Sequence, residues 1–220
     1  MKKNIQIFFI MIFLCTFFLT NTFAAEEIPK AEYPIITTSA GQSGDITTLN
    51  IIIEEAGLKY DYCDVPTVDL LKAGVGLAGK KSAETGFHAE VYTDLEKYPE
   101  GTPYKTIIFA IGASLKGMGA SGLTVDDEEN RLKSLIDYCR ENNIFIVAVH
   151  TGGMSKRGAP GGDNERMIDA IAPYADYIIV TADGNKDGRF SKISEENNIP
   201  LTEVEFALKL VDVFKYMFED

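Results

Sequence analysis

The 220-residue chain has no tryptophan, two histidines and three cysteines, and its 21 basic side chains face 33 acidic ones, a net charge of −12. That balance repels phosphate backbones, so no nucleic-acid partner is expected, and an anionic membrane surface suits it no better. His88 has no second histidine or cysteine at metal spacing, and no zinc site can be assembled. The phosphate-loop string GxxxxGKS or GKT is missing as well. What is present, 45% apolar and 25% charged residues with 19 glycines, matches an ordinary globular domain rather than a disordered, fibrous or disulfide-dense one.

Lys2 and Lys3 precede an apolar run of 13 residues, Ile7 to Leu19, which ends in polar Thr20 to Thr22 and the small residues Ala24 and Ala25. A helix crossing a bilayer core needs about 20 apolar residues, so the pattern reads as a secretory signal peptide over 1–24. It predicts an exported protein, periplasmic or secreted, with no membrane attachment after cleavage. A lipid anchor at Cys15 is rejected, because Leu14 precedes it and the apolar run continues through Phe17 to Leu19. Cleavage leaves Cys63 and Cys139 in a compartment where a disulfide can persist.

Beyond residue 25, β-branched runs of strand length alternate with glycine-rich loops and segments of helical period, the pattern of a parallel sheet wrapped by helices. The first unit is a strand Tyr33 to Thr38, the loop SAGQSGD and a helix from Ile46 to Ala56 with Gly57 beyond its end. The second strand is either Leu58 to Cys63 or Ala89 to Tyr92, the latter after a helical Val68 to Ala78, with GKKSAETG between them as an exposed turn. TIIFAIG, IFIVAVH and DYIIVTA read as strands covered on both faces. Between them lie helices over Asp126 to Asn142, with Leu132, Leu135, Ile136 and Cys139 as one buried stripe, and over NERMIDAIA. A last helix opens at Thr202, where Glu205 three residues on completes a capping box. The sum is one three-layer open α/β domain of about five parallel strands, flavodoxin-like (Rossmann-like), with an insertion near 66–104. Cys63 then lies at the C-terminal edge of the sheet and Cys139 at the opposite end, so two unpaired buried thiols are expected.

Open α/β sheets bind ligands at the carboxyl ends of their strands, and the polar residues of this chain gather in those loops. Ser39, Gln42, Ser43 and Asp45 precede a helix N-terminus suited to an anion, and Lys116, Lys156 and Arg157 supply positive charge on the same rim. The bland alternative is that Ser43 or Asp45 merely caps the helix and the basic residues are solvated. Two GxGxxG strings, at Gly74, Gly76, Gly79 and at Gly117, Gly119, Gly122, lack the strand–turn–helix setting of a dinucleotide fold and read as loop glycines.

Ser114, His150 and an acid such as Asp183 would form a hydrolase triad, but Lys116 stands where the elbow motif GxSxG needs glycine, and the next helix starts about ten residues late. In DGNKDGRFS, Asp183, Asn185, Asp187, Arg189 and Ser191 match the alternating ligand positions of a calcium loop, with Gly188 at the turn. Position twelve is Ser194 instead of a bidentate acid, and an Asp/Gly turn with Ser191 as helix cap explains the same residues.

The strings SAGQSGD, IGASLKGMGASG, HTGGMSKRG and ADYIIVTADGNKDGRF, in this order, resemble a family of exported bacterial proteins catalogued as domain of unknown function 6305. The resemblance implies a small α/β domain behind a signal peptide and carries no activity with it. The expectation from the residues is a binding domain for a small anionic ligand at the strand ends. The alternatives are a hydrolase or transferase using Ser114 and His150, and a structural or partner-binding protein using the insertion. Calcium is an open cofactor expectation, and nothing in the residues supports FMN.

Overall fold

The computed structural model describes residues 28–80 and 87–219. The signal sequence expected over 1–24 and most of the turn GKKSAETG lie outside them. Among the described residues, seven strands form one sheet: β1 (Ile35–Ala40), β2 (Tyr60–Cys63), β3 (Ala89–Val91), β4 (Thr106–Ile111), β5 (Phe145–His150), β6 (Tyr177–Thr181) and β7 (Leu201–Val204). Their order is β3-β2-β1-β4-β5-β6-β7, with β3 antiparallel to β2 and every other pair parallel. Without the antiparallel edge this is the flavodoxin order extended by one strand.

Helices cover both faces because each central strand is buried on both. On one side α1 (Asp45–Glu55) and α7 (Leu210–Phe218) pack Leu49, Ile53, Leu210 and Phe214 against Ile35, Ile108 and Ile179. On the other side lie α2 (Val68–Ala73), α4 (Val125–Glu141), α5 (Asp163–Ile171) and α6 (Arg189–Asn197). The stripe Leu132, Leu135, Ile136 and Cys139 is buried as its spacing predicts, and Thr124 with Asp127 closes a capping box at the start of α4. Cys63 and Cys139 are both free and buried. Burial pushes each thiol up to about 12.

Three expectations change. The count of about five strands becomes seven, because the two alternatives for a second strand are both strands and pair with each other. The helix expected over Val68 to Ala78 ends at Ala73, where Gly74 takes φ +71, and a separate 3-10 turn follows at Leu77–Gly79. The capping box at Thr202 does not form. Leu201–Val204 instead extends along β6, where ladder hydrogen bonds outweigh a weak local helix signal, and α7 begins only at Leu210.

The segment 66–104 is tied to the sheet through Asp61, which is fully buried in β2. Its Oδ2 accepts from the Gly76 amide at 2.8 Å and the Tyr104 hydroxyl at 2.6 Å, and its Oδ1 from the Thr93 amide. One buried carboxylate thereby fixes three points of the insertion and sets β3 beside β2.

Candidate functional site

The strand order reverses at β1, which has β2 on one side and β4 on the other, and the loops leaving β1 and β4 diverge there. The β1 loop turns through Gly41 (φ +104) and Gln42 (φ +56). A Cβ on Gly41 would lie 2.5 Å from the Gly112 carbonyl oxygen, so only glycine fits between the two loops. The Ser114 amide donates to the Gly41 carbonyl at 2.8 Å, joining them.

A buried ion pair holds this turn from behind. Glu128 of α4 is fully buried, and its Oε1 accepts from the Gly41 amide at 2.8 Å and from Gln42 Nε2 at 3.3 Å. Arg131, one turn on, donates to both oxygens of Glu128 at 2.7 and 2.8 Å and to the Ser39 carbonyl at 2.8 Å. Gln42 Nε2 also donates to the Asp64 carbonyl at 2.9 Å, tying the turn to the end of β2.

In front of the turn lies a cleft of about 540 Å³. Gln42, Ser43 and Ile46 of the β1 loop and α1 form one wall, and Gly117, Ala120 and Ser121 from the short helix α3 (Leu115–Ala120) and its end form a second. Tyr62 of β2 and Asp64 just beyond its end, with Phe87 and His88 of the insertion, form the third. Burial, with the nearby Asp64 charge, holds the Tyr62 hydroxyl above the ordinary tyrosine range, so it is a neutral donor. Burial also raises the Asp64 carboxyl, although its Oδ1 accepts from the Val65 and His88 amides at 2.8 and 2.7 Å.

Of the residues expected at the site, Gln42 and Ser43 line the cleft. Ser39 is buried at the end of β1, with no hydrogen-bond partner for its hydroxyl. Asp45 sits behind the wall: its Oδ2 accepts from Ser43 Oγ at 2.5 Å, and a Cβ on Gly112 would come within 2.2 Å of it. Lys116 is exposed on α3, four residues before Ala120, and does not line the cleft. Lys156 lies in the 3-10 turn Gly153–Lys156, its stem against the backbone of Gly152.

Arg157 is not at the cleft. Its guanidinium is 3% exposed and bonds Glu165 at 2.7 Å, Asp187 at 2.8 Å and the Gly184 carbonyl at 2.7 Å. The expectation of three converging cations is therefore corrected: a desolvated guanidinium demands carboxylate partners and finds them in α5 and the loop before α6, and neither Lys116 nor Lys156 lines the cleft.

The hydrolase residues are likewise engaged elsewhere. Ser114 caps α3, accepting from the Gly117 amide at 3.1 Å, and this helix starts directly after it rather than ten residues later. His150 is buried between the Ile111 and Gly153 carbonyls at 3.1 and 3.3 Å, stacks on Phe190, and is driven toward its neutral form by burial. Asp183 pairs with Lys186 at 2.6 Å and accepts from the Met154 amide.

The calcium loop does not assemble either. Asn185 Oδ1 accepts from the Phe190 amide at 2.9 Å, its Nδ2 donates to Ser191 Oγ at 2.8 Å, and Asp187 belongs to Arg157. Arg189 starts α6 and pairs with Glu165 and Asp169. These residues do not fit a hard cation, and no group of three or more metal-ligating side chains occurs among the described residues.

Tyr62, Asp64, Phe87 and His88 did not stand out in the sequence. The signal available was the pair of alternative second strands, which, taken together instead of as rivals, bring β2 and the insertion to one edge.

The model of the family described as domain of unknown function DUF6305 matches residues 32–218. No curated protein matches the chain. Among solved structures, a protein of Bacteroides fragilis described as an acylhydrolase is similar at 11% identity and a TM-score of 0.32, over 80% of this chain and 71% of that one. A GDSL-like lipase of Bacteroides thetaiotaomicron is similar at 10% identity and a TM-score of 0.32, over 77% of this chain and 66% of the other.

Proposed function

The chain belongs to the DUF6305 family, and on that premise we propose that it is an exported ligand-binding domain whose cleft at the β1–β4 reversal holds a small molecule bearing an anionic group. The observation that carries the reading is the position of the cleft of about 540 Å³ over Ser43 and Ile46, at the first turn of α1. Backbone amides at a helix N-terminus carry partial positive charge; Gly44 caps α1 with no side-chain hydrogen bond of its own, and the first amide, that of Asp45, donates to Ser43 Oγ at 3.2 Å. Exposed Lys116, next to the wall residue Gly117, would add a formal charge nearby, and the Tyr62 hydroxyl adds a neutral donor. Export rests on Lys2, Lys3 and the apolar run Ile7 to Leu19. The hydrolase alternative has less support, since Ser114 and His150 each have partners of their own.

Isothermal titration of the secreted form with phosphate, sulfate and small carboxylates tests the proposal. Ala120→Trp adds bulk at an exposed position in the cleft wall and leaves the core untouched. It is expected to weaken binding at least about tenfold with an unchanged thermal midpoint. Binding that survives this substitution would place the ligand elsewhere.

A further inference from the structure

We propose that His88, held by Glu90 on the edge strand β3, and the Tyr62 hydroxyl together grip an oxyanion group in the cleft, and that this grip requires one proton on His88. The proposal rests on the reading of the cleft given above and adds the residues and the chemistry of recognition.

β3 runs antiparallel to β2 with Glu90 opposite Tyr62. His88, Glu90 and Tyr92 share one face of the strand by its period of two. Glu90 is bonded on both oxygens, Oε1 to His88 Nε2 at 2.5 Å and Oε2 to the Tyr92 hydroxyl. An ionised carboxylate only accepts, so Nε2 carries the hydrogen and Nδ1 is the nitrogen left for a ligand. In the neutral ring Nδ1 presents a lone pair, which repels an oxyanion. In the protonated ring it presents an N–H, which binds one.

Tyr62 supplies an independent observation. The residue is 8% exposed and lines the cleft, its ring meets the His88 ring edge-on at 5.3 Å, and its hydroxyl has no hydrogen-bond partner among the described residues. A nearly buried donor without a partner is costly unless something accepts from it. His88, with half of its side chain exposed, stands beside it at the mouth. The titratable groups that face the imidazole are Glu90, Asp64, Tyr62 and Tyr92.

Sulfate is the probe of choice, because it stays a dianion from about pH 5 to pH 9, so any pH dependence of its binding comes from the protein. Its affinity is measured across that range for the wild type, His88→Gln, Tyr62→Phe and Glu90→Gln, with circular dichroism to verify folding. Wild-type affinity is expected to fall as pH rises across that range, by up to about tenfold per pH unit, the limit for one linked proton. His88→Gln should bind weakly with a flat profile. Tyr62→Phe should lose about tenfold at every pH while keeping the slope. Glu90→Gln should displace the His88 ring signals in an NMR pH titration. A flat wild-type profile, or a slope retained in His88→Gln, overturns the role of His88 and leaves the cleft reading standing. If sulfate, phosphate and carboxylates all fail to bind the wild type at any pH, both fall.

Discussion

Replacing Glu128 by alanine is expected to cost about 3–5 kcal/mol of folding stability, the usual penalty for breaking a buried ion pair from one side. Arg131, whose side chain is 9% exposed, would keep its charge with no carboxylate to meet it, and the Gly41 amide would lose its acceptor. The orphaned amide alone is worth about 1–3 kcal/mol, but the losses share one site and do not add in full. Urea unfolding with a slope of about 2 kcal/mol per molar would show the midpoint falling by roughly 1.5–2.5 M. Replacing both partners, Glu128→Leu with Arg131→Met, removes the unpaired charge and should recover most of the loss, leaving the penalty of the Gly41 amide. Glu128→Gln keeps an acceptor for that amide and should fall between wild type and Glu128→Ala. A loss below about 1 kcal/mol in Glu128→Ala would refute the account, since it would mean the pair neither holds the β1 turn nor depends on mutual desolvation.

Two further outcomes follow from the buried groups. Burial pushes the Glu165 carboxyl up, but hydrogen bonds from Arg157 and the Gly158 amide and the charges of Arg157 and Arg189 more than offset it. Asp187 is also held low, first by its hydrogen bonds to Arg157. Carboxyls depressed in the folded state add stability above the ordinary carboxylate range and lose it as pH falls through their folded values. Thermal midpoints should therefore drop steeply below about pH 4, and less steeply in Asp187→Asn. An unchanged acid limb in Asp187→Asn would remove Arg157 and Asp187 from the explanation. Cys63 and Cys139, both fully buried with thiols pushed up to about 12, should resist a thiol reagent at neutral pH in the native protein. Both should react in denaturant without prior reduction. Rapid native labelling, or a need for reductant, would contradict the packing.

Local pattern carried much of the architecture. TIIFAIG and IFIVAVH are too apolar to be anything but strands covered twice, and the spacing of Leu132, Leu135, Ile136 and Cys139 commits α4 to one buried face. Gln42 and Ser43 were legible at the cleft because the first loop of such a sheet precedes a helix N-terminus wherever the fold occurs. Thr202 and Glu205 misled because a capping signal is worth about 1 kcal/mol and the open edge of β6 offers a run of backbone hydrogen bonds to whatever chain reaches it.

Arg157 misled for a related reason. Its neighbour Lys156 shares its charge, but the partners that claim it, Glu165 and Asp187, lie 8 and 30 residues away, and only folding sets them around a guanidinium that water no longer reaches. Composition and periodicity thus determined the layers and the loop that fronts the cleft, since each depends on residues close along the chain. Tertiary structure alone decided which charges remain available and set Tyr62 beside His88, because antiparallel pairing joins β2 to a strand inside the insertion, and no local pattern shows which strand another will pair with.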